Sequence, residues 1–212
     1  MSPARFALAA LVLAATAAGP ARAADTEGPH GLSLGAPAPM REASLKNIDG
    51  TNVSIATAAG KKGTLVVFIC NHCPWVKKWQ GRIAAVGNDA VKRGVGVLAV
   101  NSNDPAAYPE DSFEEMQARA KSVGYRFPYA MDETSELARA FGAVRTPEAF
   151  LFDVEGKLVY HGAVDDNAND PKGVKDAWLR EAIEALAAGK AVPVAETKAL
   201  GCGIKLREKS SS

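Results

Sequence analysis

Two short runs of continuous apolar residues predict strands that are buried on both faces. Residues 64–69 read TLVVFI and residues 95–100 read VGVLAV, both rich in β-branched side chains and without polar alternation. Between them, Pro74 suits a first helical turn. Apolar residues then recur at the spacing of one helical face, at Val76, Trp79, Ile83, Val86 and Ala90. The pattern therefore predicts a strand, a long helix and a second strand.

The rest of the chain continues this alternation behind a β-rich beginning. The Asp49-Gly50 turn between residues 43–48 and 51–55 predicts a hairpin. Beyond the second buried strand, the pattern predicts a helix at 112–123, a strand at 127–130, a helix at 135–141, a hairpin at 148–153 and 157–161, and a last helix at 174–188. This order predicts an α/β fold with helices on both faces of the sheet.

The first 23 residues have the features of a secretory signal peptide. Arg5 precedes an apolar and small-residue run at 6–18, which is too short for a membrane span, and Ala21 and Ala23 form a cleavage motif. We expect a signal peptide at 1–23, a domain at 24–190 and a tail at 191–212. The protein is then expected to be periplasmic or secreted, with no membrane span after cleavage; an uncleaved N-terminal anchor is the alternative.

Charge and cysteine content narrow the function classes. Cleavage removes Arg5 and Arg22 from 25 basic side chains and none of 24 acidic ones, so the mature net charge is about −1. A balanced surface argues against a nucleic-acid partner, which usually requires a basic patch. An odd number of cysteines, three, leaves at least one thiol outside any internal disulfide. In an exported protein this favours thiol chemistry over structural stapling.

Cys70 and Cys73 lie in the stretch FICNHCPWVK, where a buried strand leads into a helix. Free amide groups and the helix dipole stabilise a thiolate at such a position, and Cys73, directly before Pro74, is the better placed. His72 and Lys77 add possible positive charge, which makes them candidate thiolate-stabilising residues. The C-x-x-C spacing alone fits a redox pair, a metal clamp or a structural disulfide.

Two further features stand far away in the sequence. Thr146 and Pro147 open the strand EAFLFD, and Cys202 lies between two glycines in the tail. Flanking glycines suit local movement, so Cys202 is a candidate second resolving thiol, whereas a thiol packed against the body is the alternative.

Together these motifs resemble the thioredoxin-like redoxins. The lead-in LSLGAPAP and its hairpin are similar to the alkyl-hydroperoxide-reductase and thiol-specific-antioxidant branch, and FICNHCPWVK, MDET, RTPEAFLFD and GCGIK resemble a bacterial exported subfamily with a CNHCP motif. The resemblance spans about residues 32–206. It implies a thioredoxin-like fold with an N-terminal β-hairpin extension, a central mixed sheet and helices on both faces. It also implies that Thr146 and a cis Pro147 position the substrate beside the reactive cysteine.

Two departures from the family pattern limit what the resemblance implies. Cys73 falls where a thioredoxin places its attacking cysteine, but Val76 occupies the position of the second, so the pair is shifted toward the strand. The threonine and proline pattern that typical peroxiredoxins place before their peroxide-reacting cysteine is also missing. Fast peroxide reduction is therefore a weaker expectation than disulfide exchange.

The sequence hence predicts a thiol-dependent oxidoreductase without a cofactor or metal. Cys73 attacks a protein disulfide or a small peroxide, Cys70 resolves the product, and an external thiol supplies electrons. Protein dithiols are the substrate if electrons flow in the opposite direction. One alternative is a copper(I) or zinc binding module built from Cys70, Cys73 and a histidine, either His72 or His161. The other is a catalytically silent scaffold with a structural disulfide.

Overall fold

A seven-stranded mixed sheet forms the centre of the fold, with strand order β2-β1-β5-β4-β3-β7-β8. The strands of this sheet are β1 (Leu45–Asn47), β2 (Asn52–Val53), β3 (Thr64–Phe68), β4 (Gly96–Asn101), β5 (Tyr129–Met131), β7 (Glu148–Phe152) and β8 (Leu158–Gly162). β3, β4 and β5 run parallel, while β7 pairs antiparallel with both β3 and β8. A separate two-stranded sheet joins β6 (Arg145–Thr146) to β9 (Cys202–Gly203).

Four helices cover the two faces of the sheet. They are α1 (Pro74–Lys92), α2 (Phe113–Val123), α3 (Glu136–Phe141) and α4 (Trp178–Ala187). The computed structural model describes Met1 and residues 31–208. The predicted signal peptide, apart from Met1, therefore lies outside the described residues, as does the last part of the predicted tail. No helix within residues 31–208 combines the length and the apolar character that a membrane crossing requires.

The buried strands divide their side chains between two hydrophobic layers because successive residues of a strand point to opposite faces. In β3, Leu65 and Val67 face the layer that contains α1, α2 and α4, whereas Val66 and Phe68 face the layer that contains α3. Both layers consist of buried apolar side chains, which explains why the run TLVVFI has no polar alternation. The first layer includes Cys70 and Cys73, so the cysteines lie at the edge of the main core.

The predicted order of elements and the mixed α/β fold class are confirmed. The hairpin β1–β2 is shorter than predicted, and it joins the sheet through antiparallel pairing of β1 with β5. The last helix begins at Trp178, four residues later than predicted, because a 3-10 turn at Pro171–Gly173 precedes it. Strands β6 and β9 had no sequence signal. They bring the tail to the cysteines.

Candidate active site

The start of α1 positions both cysteines of the C-x-x-C pair. β3 ends at Phe68, and the backbone N–H of Ile69 still donates to the carbonyl of Val100, 2.9 Å away, so the chain leaves the sheet in a fixed direction. Cys73 is the N-cap residue of α1, and the first turn of the helix contains no acidic residue. The Cys73 sulfur therefore lies at the positive end of the helix dipole without a nearby carboxylate on the same turn.

Thr146 contacts both sulfur atoms from the opposite side of the site. The Cys73 Sγ lies 3.2 Å from the Thr146 carbonyl oxygen, and the Cys70 Sγ lies 3.2 Å from the Thr146 Oγ1. The peptide bond between Thr146 and Pro147 is cis, as the resemblance implied. Cys70 and Cys73 are 1% and 0% exposed, so this contact closes the site to solvent.

Cys202 joins the same cluster through the β6–β9 pair. In this pair Cys202 lies opposite Thr146, and Gly203 lies opposite Arg145. Cys202 is half-buried, and all three cysteines are free thiols. The predicted tail is therefore packed against the body, and its cysteine is a direct neighbour of the predicted nucleophile.

The three thiols differ in their tendency to ionise. Hydrogen bonds from the Cys70 thiol, and then from Cys202 and the Val76 backbone N–H, hold the pKa of Cys73 well below its ordinary value, although burial opposes them. The hydrogen bond to Cys73, burial and the charge of Asp111 raise the pKa of Cys70 far above its ordinary value. Burial and the hydrogen bond to Cys73 raise the pKa of Cys202 to about 11. Of the three thiols, Cys73 is therefore the one that ionises most readily.

We expect this ionisation to be visible in the ultraviolet absorbance of the reduced protein. Because the pKa of Cys73 is lowered, its thiolate persists at neutral pH and is protonated only as the pH falls through the folded-state pKa. One thiolate equivalent should therefore titrate at least one pH unit below the ordinary cysteine value of about 8.5. The signal should vanish in Cys73→Ser and remain, with a higher midpoint, in Cys202→Ser. A wild-type midpoint near 8.5 would contradict the assignment.

Asp111 is a buried carboxylate that fixes the loop at residues 70–73. Its Oδ1 accepts hydrogen bonds from the backbone N–H groups of Asn71, at 2.5 Å, and His72, at 3.3 Å. Its Oδ2 lies 2.5 Å from the His72 Nδ1 and accepts a hydrogen bond from the Asn103 side chain at 2.9 Å. The sequence contained no local signal for this role.

The two predicted thiolate-stabilising residues have other partners. The His72 ring is held by Asp111 and stacks on Tyr108, with ring centroids 4.4 Å apart. The Lys77 ammonium pairs with the exposed Glu110 carboxylate at 2.9 Å. Neither side chain forms a hydrogen bond with the Cys73 sulfur, whose hydrogen-bond partner among the described residues is the Thr146 carbonyl oxygen.

Glu148 and His161 form a second buried pair behind the strand that carries Thr146. The Glu148 Oε1 lies 2.7 Å from the His161 Nε2. Its Oε2 accepts hydrogen bonds from the backbone N–H groups of Val144 and Arg145, both at 2.8 Å. Glu148 therefore holds the segment that leads into Thr146. A carboxylate directly after Pro147, at the start of an apolar strand, was an available sequence signal that we did not use.

The contacts do not favour the metal-binding alternative. Within residues 31–208, Cys70, His72 and Asp111 form the one group of three potential ligands whose atoms lie within 4.8 Å of one another. His161 is not in this group, because it is bonded to Glu148. The His72 Nδ1 is engaged by Asp111, and the Cys70 Sγ contacts the Thr146 Oγ1, so two of the three groups already have partners.

Comparison with known proteins agrees with this chemistry. The sequence model of the AhpC/TSA family matches residues 34–161. Among curated proteins, no significant match is found. The structure of an uncharacterized conserved protein from Geobacillus kaustophilus is 41% identical and has a TM-score of 0.77, with 85% of this chain and 94% of that one covered. A hypothetical protein from Sinorhizobium meliloti is 37% identical with a TM-score of 0.76, covering 84% of this chain and 97% of that one.

A third structure shares the fold at lower sequence identity. It is the bacterioferritin comigratory protein from Xanthomonas campestris, described in connection with alkyl peroxide reduction. It is 21% identical with a TM-score of 0.52, and 74% of this chain and 97% of that one are covered. The fold is thus that of the thioredoxin-like redoxins, which suggests a thiol-dependent oxidoreductase. The match over residues 34–161 shows that the chain belongs to the AhpC/TSA family.

Proposed function

We propose that this protein is a thiol–disulfide oxidoreductase in which Cys73 is the nucleophile and Cys70 is the resolving cysteine. The observation that carries the proposal is the position of the two sulfurs at the start of α1, each 3.2 Å from an oxygen of Thr146. The lowered pKa of Cys73 and the raised pKa of Cys70 assign the two roles. A thiolate is the attacking species in disulfide exchange. If residues 1–23 direct export, the protein acts in the periplasm or outside the cell.

In the first step, the Cys73 thiolate attacks one sulfur of a substrate disulfide. A bond forms between Cys73 and that sulfur, the substrate S–S bond breaks, and the other substrate sulfur leaves as a thiolate. Thr146 and Pro147 orient the substrate, because the Thr146 carbonyl already lies in contact with the Cys73 sulfur. The covalent product is a mixed disulfide on Cys73.

In the second step, Cys70 resolves the mixed disulfide. Once Cys73 is bonded, it no longer holds the Cys70 proton by its negative charge, so the pKa of Cys70 falls toward its ordinary range. Cys70 then transfers its proton to the departing thiolate and attacks Cys73. The substrate leaves with two electrons and the Cys70 proton, its first thiolate takes a proton from solvent, and a Cys70–Cys73 disulfide remains. An external thiol restores the pair, and the reverse sequence oxidises a protein dithiol.

Cys202 is a second resolving thiol in this proposal. It lies opposite Thr146 in the β6–β9 pair, and Thr146 contacts the Cys73 sulfur, so Cys202 is close enough to attack a mixed disulfide on Cys73. Its half-buried position gives an outside reductant better access to it than to Cys70. The expected product is a Cys73–Cys202 disulfide that forms when Cys70 is replaced.

The test is the reduction potential of the mature protein in glutathione buffers, with disulfides located by peptide mass. We expect a reversible two-electron couple between about −120 and −270 mV. It should correspond to the Cys70–Cys73 disulfide in the wild type and to Cys73–Cys202 in Cys70→Ser, and it should be absent from Cys73→Ser. If no disulfide forms while the reduced protein binds one copper(I) or zinc ion, the proposal fails. If peroxide converts Cys73 to a sulfenic acid much faster than a disulfide substrate forms the mixed disulfide, the protein is instead a peroxidase.

A further inference from the structure

Residues 195–207, called here the C-terminal strap, cross the molecule from the edge of β8 to the far side of the cysteine site. The strap begins beside His161, whose backbone N–H donates to the Ala195 carbonyl and whose carbonyl accepts from the Thr197 N–H, both at 2.9 Å. The Thr197 Oγ1 also accepts a hydrogen bond from the Ala163 N–H at 2.9 Å. The strap therefore starts as an added edge to the main sheet.

The far end of the strap is also anchored to the rest of the protein by hydrogen bonds. The Lys205 N–H donates to the Asn103 Oδ1 at 2.7 Å, and the Lys205 carbonyl accepts from the Asp104 N–H at 2.8 Å. The Arg207 N–H donates to the Ser135 Oγ at 3.0 Å. Anchors on both sides place the intervening residues across the site.

Between these anchors, β9 covers the nucleophile. Cys202 pairs with Thr146, the residue that contacts both C-x-x-C sulfurs, and it packs against the buried cluster that contains Cys73. Cys73 is completely buried beneath this pair. A substrate disulfide from another protein must reach the same sulfur, so it must enter the space that Cys202 occupies.

The limited space beside Thr146 restricts the size of the residue that precedes Cys202. A Cβ at position 201 would lie 2.1 Å from the Thr146 carbonyl oxygen and 2.6 Å from its carbon, both backbone atoms. At position 203 the nearest atom, the Val144 carbonyl oxygen, is 3.9 Å away, which is ordinary contact. Glycine is therefore required before Cys202 and is optional after it.

We propose that residues 201–203 occupy the substrate-binding groove of this protein. In this groove, a glycine-cysteine segment of another protein pairs as a strand with the edge of β6. This inference rests on the proposed function and adds the substrate class and the means of access. Without the strap, β6 presents an unpaired strand edge beside Cys73, and such an edge binds an extended chain through its main-chain groups. The substrate is then an extended protein segment that displaces the strap, with the backbone approaching Thr146 at its glycine.

The first test uses Gly201→Ala, which places a methyl group against Thr146 and unseats β9, and Gly203→Ala as the matched control. Reduced proteins are treated with iodoacetamide, and the adduct on Cys73 is measured by peptide mass. We expect alkylation of Cys73 to be at least about tenfold faster in Gly201→Ala than in the wild type, and unchanged in Gly203→Ala. A chain that ends at Leu200 should react as Gly201→Ala does. Equal rates in all four proteins would overturn the proposal.

The second test measures selectivity for glycine. The probe is a peptide with the sequence of residues 198–206 whose cysteine carries a pyridyl disulfide, compared with the same peptide with alanine in place of Gly201. In the Cys70→Ser, Gly201→Ala protein, the Cys73 thiolate bonds to the peptide sulfur and releases pyridinethione. We expect the glycine peptide to react with Cys73 at least about tenfold faster. Equal rates for the two peptides would refute the groove.

A small pyridyl disulfide separates this inference from the proposed function. If that compound forms the mixed disulfide at Cys73 while the two peptides react equally, the oxidoreductase proposal stands and the groove does not exist. If neither the compound nor the peptides react with Cys73, the proposed function itself fails.

Discussion

Cys73→Ser is expected to reduce the disulfide-reductase activity of this protein by about a thousandfold or more. Serine has nearly the same size, but its hydroxyl group does not ionise near neutral pH, so no nucleophile remains at the start of α1. The measurement is the turnover of a small aromatic disulfide with an excess of external thiol. Activity close to the wild-type value in Cys73→Ser would exclude Cys73 as the attacking residue.

Cys70→Ser is the matched control for this experiment because it removes the other thiol of the pair. The first chemical step then remains possible, although the loss of the Cys70 hydrogen bond raises the pKa of Cys73 and slows it. We expect a mixed disulfide on Cys73 to accumulate, detectable by mass, when Cys202 is also replaced by serine. A mixed disulfide on Cys70 in the Cys73→Ser protein would reverse the two roles.

Glu148→Ala is expected to lower the free energy of unfolding by about 3–5 kcal/mol. Glu148 is 2% exposed, and its removal leaves the backbone N–H groups of Val144 and Arg145 and the His161 ring without their acceptor. The segment leading to Thr146 then loses its support, so the activity should fall as well. Urea denaturation measures the stability, and turnover of the aromatic disulfide measures the activity.

Glu196→Ala is the control for Glu148→Ala, since its carboxylate faces the same histidine from the surface. The Glu196 Oε1 lies 3.8 Å from the His161 Nδ1, and the side chain is exposed. Because the Glu196 carboxylate is exposed and the separation is long, we expect a change of about 0.5 kcal/mol or less. Similar losses in both variants would mean that Glu148 is not the acceptor that holds this segment.

Local patterns determined most of the sheet and the helices. A buried strand or helix face requires apolar side chains at fixed positions within one short segment. That requirement is visible in the apolar runs at 64–69 and 95–100 and in the helical spacing from Val76 to Ala90. Proline at the start of α1 and Cys73 before it likewise fix the N-cap within a few residues. The C-x-x-C pair at a helix start was therefore readable from the sequence.

Long-range packing determined the rest of the candidate site. Cys202 is 129 positions from Cys73 in the sequence, and no periodicity marks a two-residue strand such as β9. Asp111 and Glu148 are ordinary acidic residues until the fold buries them against backbone N–H groups, where they satisfy donors that would otherwise be unpaired. His72 and Lys77 illustrate the reverse case, since proximity in sequence did not give contact with the sulfur.

The sequence by itself determined the order of the elements, the α/β class and the position of a cysteine pair at a helix start, because these depend on side-chain periodicity and on the local signals of a helix start. The tertiary structure alone decided that the tail folds back over that thiol and that a glycine must precede Cys202. Those features arise from the close approach of backbone segments distant in sequence, which no local pattern of residues encodes.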